Sequence, residues 1–317
     1  MSAGGLVTVG ETMVALTPPG IGPLRYAASL GISVAGAESN VAIAARRLGA
    51  PVAWIGRVGA DELGELILTR LRGEGVDVSA AVRDPGAPTS LLLKERRTSD
   101  VVRVGYYRRG GPGARLRPSD LDEGAIRAAG ILHVTGITPA LSDSARSCVR
   151  AAVEIARGAG VPVSLDFNHR PALWSDEAAA AELGELTRLV DVVFAGADEA
   201  ALVAGGGPPA DQAAALARLG PRQVVITLGA RGAVALVDGA PLVVAATPVS
   251  TVDAVGAGDA FVGGYLAELL AGADPPLRLA TAARCGAFAV TVGGDWEGLP
   301  TRAELSLLDA DAGNVLR

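Results

Sequence analysis

An α/β fold is predicted, with a mostly parallel central β-sheet, helices on both of its faces and a small second set of strands. Three observations predict it. Short apolar runs alternate with helical patterns over most of the 317 residues, as when parallel strands are joined by helical crossovers. Half of the residues are apolar, enough to bury a sizeable core, and the length suits residues 1–317 as one large domain. Two stretches, residues 13–34 and 88–108, break the alternation, because they are strand-like without intervening helices.

Taken in order, residues 5–9 read as a buried strand. Residues 38–48 read as a helix ended by Gly49, residues 52–58 as a strand, and residues 61–72 as a helix with a Gly-x-Gly stop. Strands over 131–134 and 161–166 flank a helix over 142–157. Further strands cover 190–194 and 224–228, and residues 232–247 form a hairpin turning at Asp238-Gly239. A long helix covers 259–270. Residues 89–94 and 101–107 pair around the polar segment 95–100. These extra strands are expected to project over the strand ends as a lid; the alternative is an edge hairpin that widens the main sheet. Ligands of open parallel sheets bind beyond the carboxyl ends of the strands, so function belongs at strand-to-helix junctions.

Composition removes several function classes. Aromatics are only 3% of the chain, so the core is built from Ala, Val, Leu and Ile. The net charge of −6 argues against nucleic acid as a partner. Lys94 is the only lysine. No Gly-Lys-Ser/Thr triplet exists, which excludes a P-loop, and Schiff-base chemistry would have to use Lys94. Cys148 and Cys285 sit in Ala-rich helical patterns and read as buried free thiols. His133 and His169 lack the spacing of metal ligands. No charged-then-apolar leader and no apolar run of about 18 residues appears, so a cytoplasmic enzyme without a membrane partner is expected.

The sharpest local feature is the run from Thr251 to Phe261, which contains Asp253-Ala254-Val255-Gly256-Ala257-Gly258-Asp259. The segment Gly256, Ala257, Gly258 carries almost no side chains. Its amides can approach an anion closely, and the positive end of the following helix adds to their pull. Phosphoryl transfer needs such a preorganised donor set. Asp259 stands beside it, where a carboxylate can take the proton of an attacking hydroxyl. The alternative role for Asp259 is an ordinary helix N-cap. A dinucleotide fingerprint fits poorly, because its third glycine falls at Phe261.

Three segments together carry a family resemblance. Gly36-Ala37-Glu38-Ser39-Asn40-Val41-Ala42, Gly59-Ala60-Asp61-Glu62-Leu63-Gly64 and Asp253 to Asp259 stand in the order of the signatures of ribokinase-like (PfkB) sugar kinases. The chain resembles that family over nearly its full length, with Ala254 where a threonine is usual. The resemblance implies a Rossmann-like α/β sandwich with a small β lid, γ-phosphoryl transfer from ATP with Mg²⁺ and, in some members, a response to a monovalent cation such as K⁺. It aligns Asp259 with the catalytic base and Gly256, Ala257 and Gly258 with the anion hole. The turn carrying Thr227, Gly229 and Gly232 looks like the nucleotide-binding turn. The segment with Ala283 and Ala287 resembles the helix walling the adenine pocket. Glu199 is a candidate for the Mg²⁺ shell, although Gly196 replaces the asparagine of the usual Asn-x-x-Glu motif. The carbonyls of Asp253 and Val255 are candidates for a monovalent-cation site.

Within the family, the likeness is to kinases of 2-keto-3-deoxygluconate. It rests on Gly10-Glu11-Thr12-Met13, the Gly-Ala-Glu-Ser-Asn form at 36–40, Tyr106-Tyr107-Arg108 and the run from Asp166 to Trp174. Gly111-Pro112 replaces the usual Ser-Ala after the tyrosine segment. A sugar acid carries a carboxylate, and arginine's planar fork suits it. Arg108 and Arg170 are therefore expected at the sugar, with Asn40, Asn168, Tyr106 and the backbone at Gly36 around its hydroxyls. Neighbouring readings are a fructokinase or nucleoside kinase of the same family and, in another class, a non-catalytic sugar-binding regulator. The few aromatics disfavour a base-stacking site. A homo-oligomer is expected by analogy with the family.

Overall fold

The computed structural model describes residues 4–98 and 101–309. Ser99 and Asp100, at the end of the expected polar segment, lie outside the described residues. Fourteen strands occur among those described: β1 (Leu6–Val9), β2 (Met13–Thr17), β3 (Gly31–Ala35), β4 (Val52–Ile55), β5 (Arg57–Gly59), β6 (Val82–Asp84) and β7 (Leu91–Arg96). These are followed by β8 (Val102–Tyr107), β9 (Ile131–Thr135), β10 (Val163–Asp166), β11 (Val192–Gly196), β12 (Gln223–Thr227), β13 (Ala233–Val237) and β14 (Ala240–Val244).

Eight of them form the main sheet in the order β14-β13-β12-β11-β10-β9-β1-β4. From β12 to β4 every pairing is parallel, and β13 and β14 close one edge antiparallel. The parallel strands bury residues on both faces instead of alternating, because both faces are covered; all four residues of β1 are buried. The edge hairpin turns where expected. Asp238 and Gly239 both take left-handed backbone, with φ of 50° and 83°, the conformation of a two-residue type I′ turn.

The strand expected over 52–58 divides. β4 stays in the main sheet, whereas β5 leaves it and pairs in parallel with β6. The break falls at Gly56, where a Cβ would lie 2.0 Å from the Trp54 ring, so the buried indole presses directly on the backbone. The two stretches lacking helices come together as a separate four-stranded sheet, β3-β2-β7-β8. They do not widen the main sheet.

The core lies on both faces of the main sheet. One face packs the helices Ala37–Arg47, Ala257–Leu270 and Pro275–Ala289. The other packs Asp143–Gly158, Asp176–Thr187 and Pro209–Ala217. The helix Asp143–Gly158 shows why such segments fold locally. Ser142 caps it by accepting from the Ala145 N–H, and Ala145, Cys148, Val149, Ala152, Val153 and Ala156 bury one stripe. Cys148 and Cys285 are buried free thiols, each pushed up to about 12 by burial. Among the described residues no helix is long and apolar enough to cross a membrane.

One helix contact positions the site. At Gly263 a Cβ would lie 2.4 Å from the Ala44 Cβ and 2.8 Å from the Val41 carbonyl oxygen. The absence of a side chain there lets the helices Ala37–Arg47 and Ala257–Leu270 approach closely. That approach brings Asn40 and Asp259, 219 residues apart in sequence, into hydrogen-bond contact.

Candidate active site

A cleft of about 460 Å³ opens at the carboxyl ends of β10, β11 and β12, where a parallel sheet is expected to bind its ligand. The main sheet and its helices form the floor. Met13, Leu92, Val104 and Tyr106 of the second sheet form the opposite wall.

The glycine turn enters this cleft. The helix begins at Ala257, two residues before the expected start, with Gly256 as its N-cap at φ 80°. A Cβ on Gly256 would lie 2.0 Å from the Asp295 carbonyl oxygen, so both the conformation and the space demand glycine. Asp259 is therefore inside the first helical turn and is not the N-cap. Its side chain faces two asparagines. Asn40 Nδ2 donates to Oδ2 at 2.7 Å, and Asn168 Nδ2 donates to Oδ1 at 3.3 Å. Asn168 reaches it from a left-handed backbone with φ 40°, just beyond β10.

The Asp259 carboxylate keeps part of its surface open to the cleft. The surrounding protein nevertheless strips water from it and raises its pKa to about 7. The Asn40 hydrogen bond and the Arg170 charge oppose that rise, while Asp295 and Glu38 add to it. Asp166, buried at the end of β10, is raised well above the carboxylate range, first by burial and then by the charges of Glu199 and Asp259. The cleft thus gathers the carboxylates of Asp166, Glu199, Asp259 and Asp295, with the Arg170 guanidinium charge acting on Asp166 and Asp259.

The arginines are held differently. Arg170 lines the cleft and spends one N–H on the His169 carbonyl at 3.0 Å. It makes no ion pair among the described residues, which leaves its other N–H groups uncommitted to a carboxylate. Arg108 is buried and lines the cleft. Its Nη1 donates to Glu11 Oε2 at 3.0 Å, its guanidinium stacks 4.5 Å from the Tyr106 ring centre, and its Nε has no hydrogen-bond partner among the described residues. It is not a solvated charge on a basic hairpin. Gly36 supplies backbone to the wall, with no room for a Cβ because the Glu11 carbonyl oxygen would be 2.3 Å away.

Glu199 also lines the cleft. Its Oε2 accepts from the Gly196 N–H and its Oε1 from the His169 N–H, both at 2.8 Å. It closes the start of its own helix and ties in the loop that bears Arg170, so it is not a plain helix-surface carboxylate. A Cβ at Gly196 would meet only the Glu199 side chain at 3.4 Å, and the backbone there is extended with φ −66°, so neither space nor conformation demands glycine. Among the described residues no group of three or more His, Cys, Asp or Glu side chains is arranged to hold a metal unaided.

Of the expected nucleotide residues, Thr227, Gly256 and Gly258 line the cleft. Gly229 and Gly232 lie in the turn after β12, Ala283 and Ala287 are buried on the helix Pro275–Ala289, and none of these four is in the lining. Val255 lines the cleft, whereas Asp253 lies behind it, facing Lys94. Sequence reasoning missed Asp166 and Asp295 as site residues. Asp166 stood inside a segment singled out for other residues, and nothing in the spacing around Asp295 signals a role.

The model of the pfkB family of carbohydrate kinases matches residues 4–302. The chain belongs to that family. This pfkB carbohydrate kinase is 41% identical over 303 residues to 2-dehydro-3-deoxygluconokinase of Thermoproteus tenax, covering 94% of this chain and 92% of the relative. It is 35% identical to 2-dehydro-3-deoxygalactonokinase of Haloferax volcanii, covering 97% and 98%. A crystal structure of 2-dehydro-3-deoxygluconokinase from Thermotoga maritima superposes with a TM-score of 0.88 at 27% identity, over 96% of this chain and 98% of that one. A ribokinase-like protein of E. coli, crystallised with ATP and Mg²⁺, gives 0.90 at 26% identity over 96% and 99%. The kinase has the ribokinase-like α/β fold, and it phosphorylates a sugar hydroxyl.

Proposed function

We propose that this kinase transfers the γ-phosphoryl group of ATP to the terminal hydroxyl of 2-keto-3-deoxygluconate, yielding the 6-phosphate. The observation that carries the reading is the Asp259 carboxylate, open to the cleft, tuned to about 7 and one turn from the bare amides of Gly256 to Gly258. A base near the working pH is poised to accept the hydroxyl proton. The amides and the helix N-terminus stabilise charge on the transferring group. Asn40 and Asn168 orient the carboxylate toward the attacking oxygen. Arg170, with N–H groups uncommitted to any carboxylate, is assigned to the sugar's own carboxylate. Arg108, whose charge is already offset by Glu11, is assigned to fixing Tyr106 and to a polar contact through its free Nε. Gly36 is assigned to a hydroxyl. Thr227, Gly229, Gly232, Ala283 and Ala287 are assigned to the nucleotide side.

The residues fit Mg²⁺ brought in by the nucleotide. That ion keeps its waters and uses one or two carboxylates plus phosphates, and the charge crowding at Asp166, Glu199 and Asp259 is of the kind a cation relieves. When bound, it neutralises charge on the ATP phosphates. Glu199, with both oxygens held by backbone N–H groups, is assigned to its outer shell. A monovalent cation would use the carbonyls of Asp253 and Val255. The Asp253 carboxylate already faces the Lys94 ammonium.

The second sheet is assigned as a lid that closes over the sugar and excludes water. Its exposed Ile32 and Tyr107 support a homo-oligomer paired through this sheet. Two buried free thiols suit the reducing cytoplasm, where we place the enzyme.

The test is a coupled ATP assay against 2-keto-3-deoxygluconate, 2-keto-3-deoxygalactonate, gluconate and fructose. The highest kcat/KM is expected for 2-keto-3-deoxygluconate; preference for fructose refutes the acid-substrate reading. Asp259→Asn is expected to lower kcat by roughly 10²- to 10⁴-fold with ATP binding retained. Near-normal turnover would remove Asp259 from the chemistry.

A further inference from the structure

The lone lysine of the chain is buried, at 3% exposure, on strand β7 of the second sheet. Burial of a lysine is rare unless its charge is matched. Here it is matched twice, by carboxylates that reach it from two other segments. The Nζ contacts Asp295 Oδ1 and lies 3.6 Å from Asp253 Oδ2. Neither partner is a bystander. Asp253 begins the glycine turn, and its Oδ1 accepts from the Val255 N–H at 3.1 Å. The backbone of Asp295 lies directly against Gly256, where it forbids a Cβ, and Asp295 lines the cleft. Lys94 itself is absent from the cleft lining and lies on the far side of the two carboxylates, in an adjoining cavity that it lines with Asp253 and Asp295.

We infer that Lys94 is a positioning residue for phosphoryl transfer: its ammonium draws Asp253 and Asp295 together behind the glycine turn and cancels their charge beside Asp259, so that a strand of the second sheet sets the shape and the electrostatics of the anion hole. The inference rests on the reading of Asp259 as the base. Its logic is Coulombic and geometric. With the ammonium removed, two largely buried carboxylates face each other with no cation between them, and the segment that walls Gly256 loses its tether.

The groups around both carboxylates can be named. Asp295 faces Lys94 from the second sheet, Glu297 from its own segment and Asp253 from the turn. Asp259 faces Asn40 and Glu38 from the helix Ala37–Arg47, Asp166, Asn168 and Arg170 from β10 and the loop after it, and Asp295. Apart from Lys94, Arg170 is the one cation named here, so with the lysine gone the charge at Asp295 has little else to offset it. An added negative charge nearby favours the protonated base.

Three full-length variants test this by steady-state kinetics from pH 5.5 to 9.5, with folding checked by thermal denaturation: Lys94→Met, Lys94→Arg and Asp259→Asn. For Lys94→Met, kcat is expected to fall about tenfold with the KM for ATP changed less than about twofold, and the acid limb of kcat/KM to move up by about one pH unit. Lys94→Arg is expected to return the limb to its wild-type position. A purely structural lysine would lower stability and activity while leaving the limb in place, and that result overturns the inference. So does a limb that Lys94→Arg fails to restore. If Lys94→Met does not fold, Lys94→Gln, which removes the charge and keeps a polar side-chain end, carries the same expectation and the same refutation. Loss of activity in Asp259→Asn alongside an unmoved limb for Lys94→Met sinks only the lysine; normal activity in Asp259→Asn sinks the base.

Discussion

Removing the side chain of Asn40 tests how the site sets the basicity of Asp259. Its Nδ2 donates the shorter of the two asparagine hydrogen bonds to that carboxylate, at 2.7 Å, and it opposes the rise in pKa produced by desolvation. A hydrogen bond to a charged group is worth roughly 1.5–3 kcal/mol, which is about one to two pKa units. In Asn40→Ala the carboxylate should therefore hold its proton to about pH 8–9 instead of about 7. The sign follows from the role: a general base works deprotonated, so raising its pKa lowers the rate at neutral pH and not in alkali. At pH 7 the deprotonated fraction should drop about 5- to 50-fold. The assay is a pH profile of kcat/KM, which reports the free enzyme. Asn40 also lines the cleft, so loss of a substrate contact could lower the whole profile; the position of the acid limb separates the two effects. A lowered profile with its limb at the wild-type pH would refute the reasoning.

Arg170→Ala should cost roughly 1.5–3 kcal/mol in kcat/KM on acidic sugars and little on neutral ones, measured with gluconate and fructose beside the preferred substrate; equal losses defeat the carboxylate assignment. Arg57 is buried between Asp84, at 2.9 Å, and Asp120, at 2.8 Å, so Arg57→Ala should destabilise the fold by roughly 3–5 kcal/mol in denaturant titration. The hydrogen bond from Arg57 holds the Asp84 carboxyl well below its usual range. The stability it gives should be complete above about pH 4 and fade as the pH falls toward that depressed value.

The alternation of apolar runs and helical patterns was legible because both faces of a parallel sheet are covered. Asp238-Gly239 announced its turn for an equally local reason. The glycine turn was legible too, since bare backbone beside a carboxylate is unusual composition. What escaped depended on contacts distant in sequence. The division of 52–58 comes from an indole folding back on Gly56. The early start of the helix at Ala257 comes from Gly256 taking left-handed backbone against Asp295. Asp295 lies 36 positions past Asp259 in a loop with no periodic pattern, and only the fold brings it to the turn. Arg108 reads from sequence as a sugar-side arginine on the hairpin; its commitment to Glu11, 97 positions earlier, is a tertiary fact.

The cleft draws its walls from positions as early as Met13 and as late as Asp295. No contiguous fragment much shorter than the whole chain can assemble it. Turnover is consequently a census of molecules in which both ends of the polypeptide have reached the cleft.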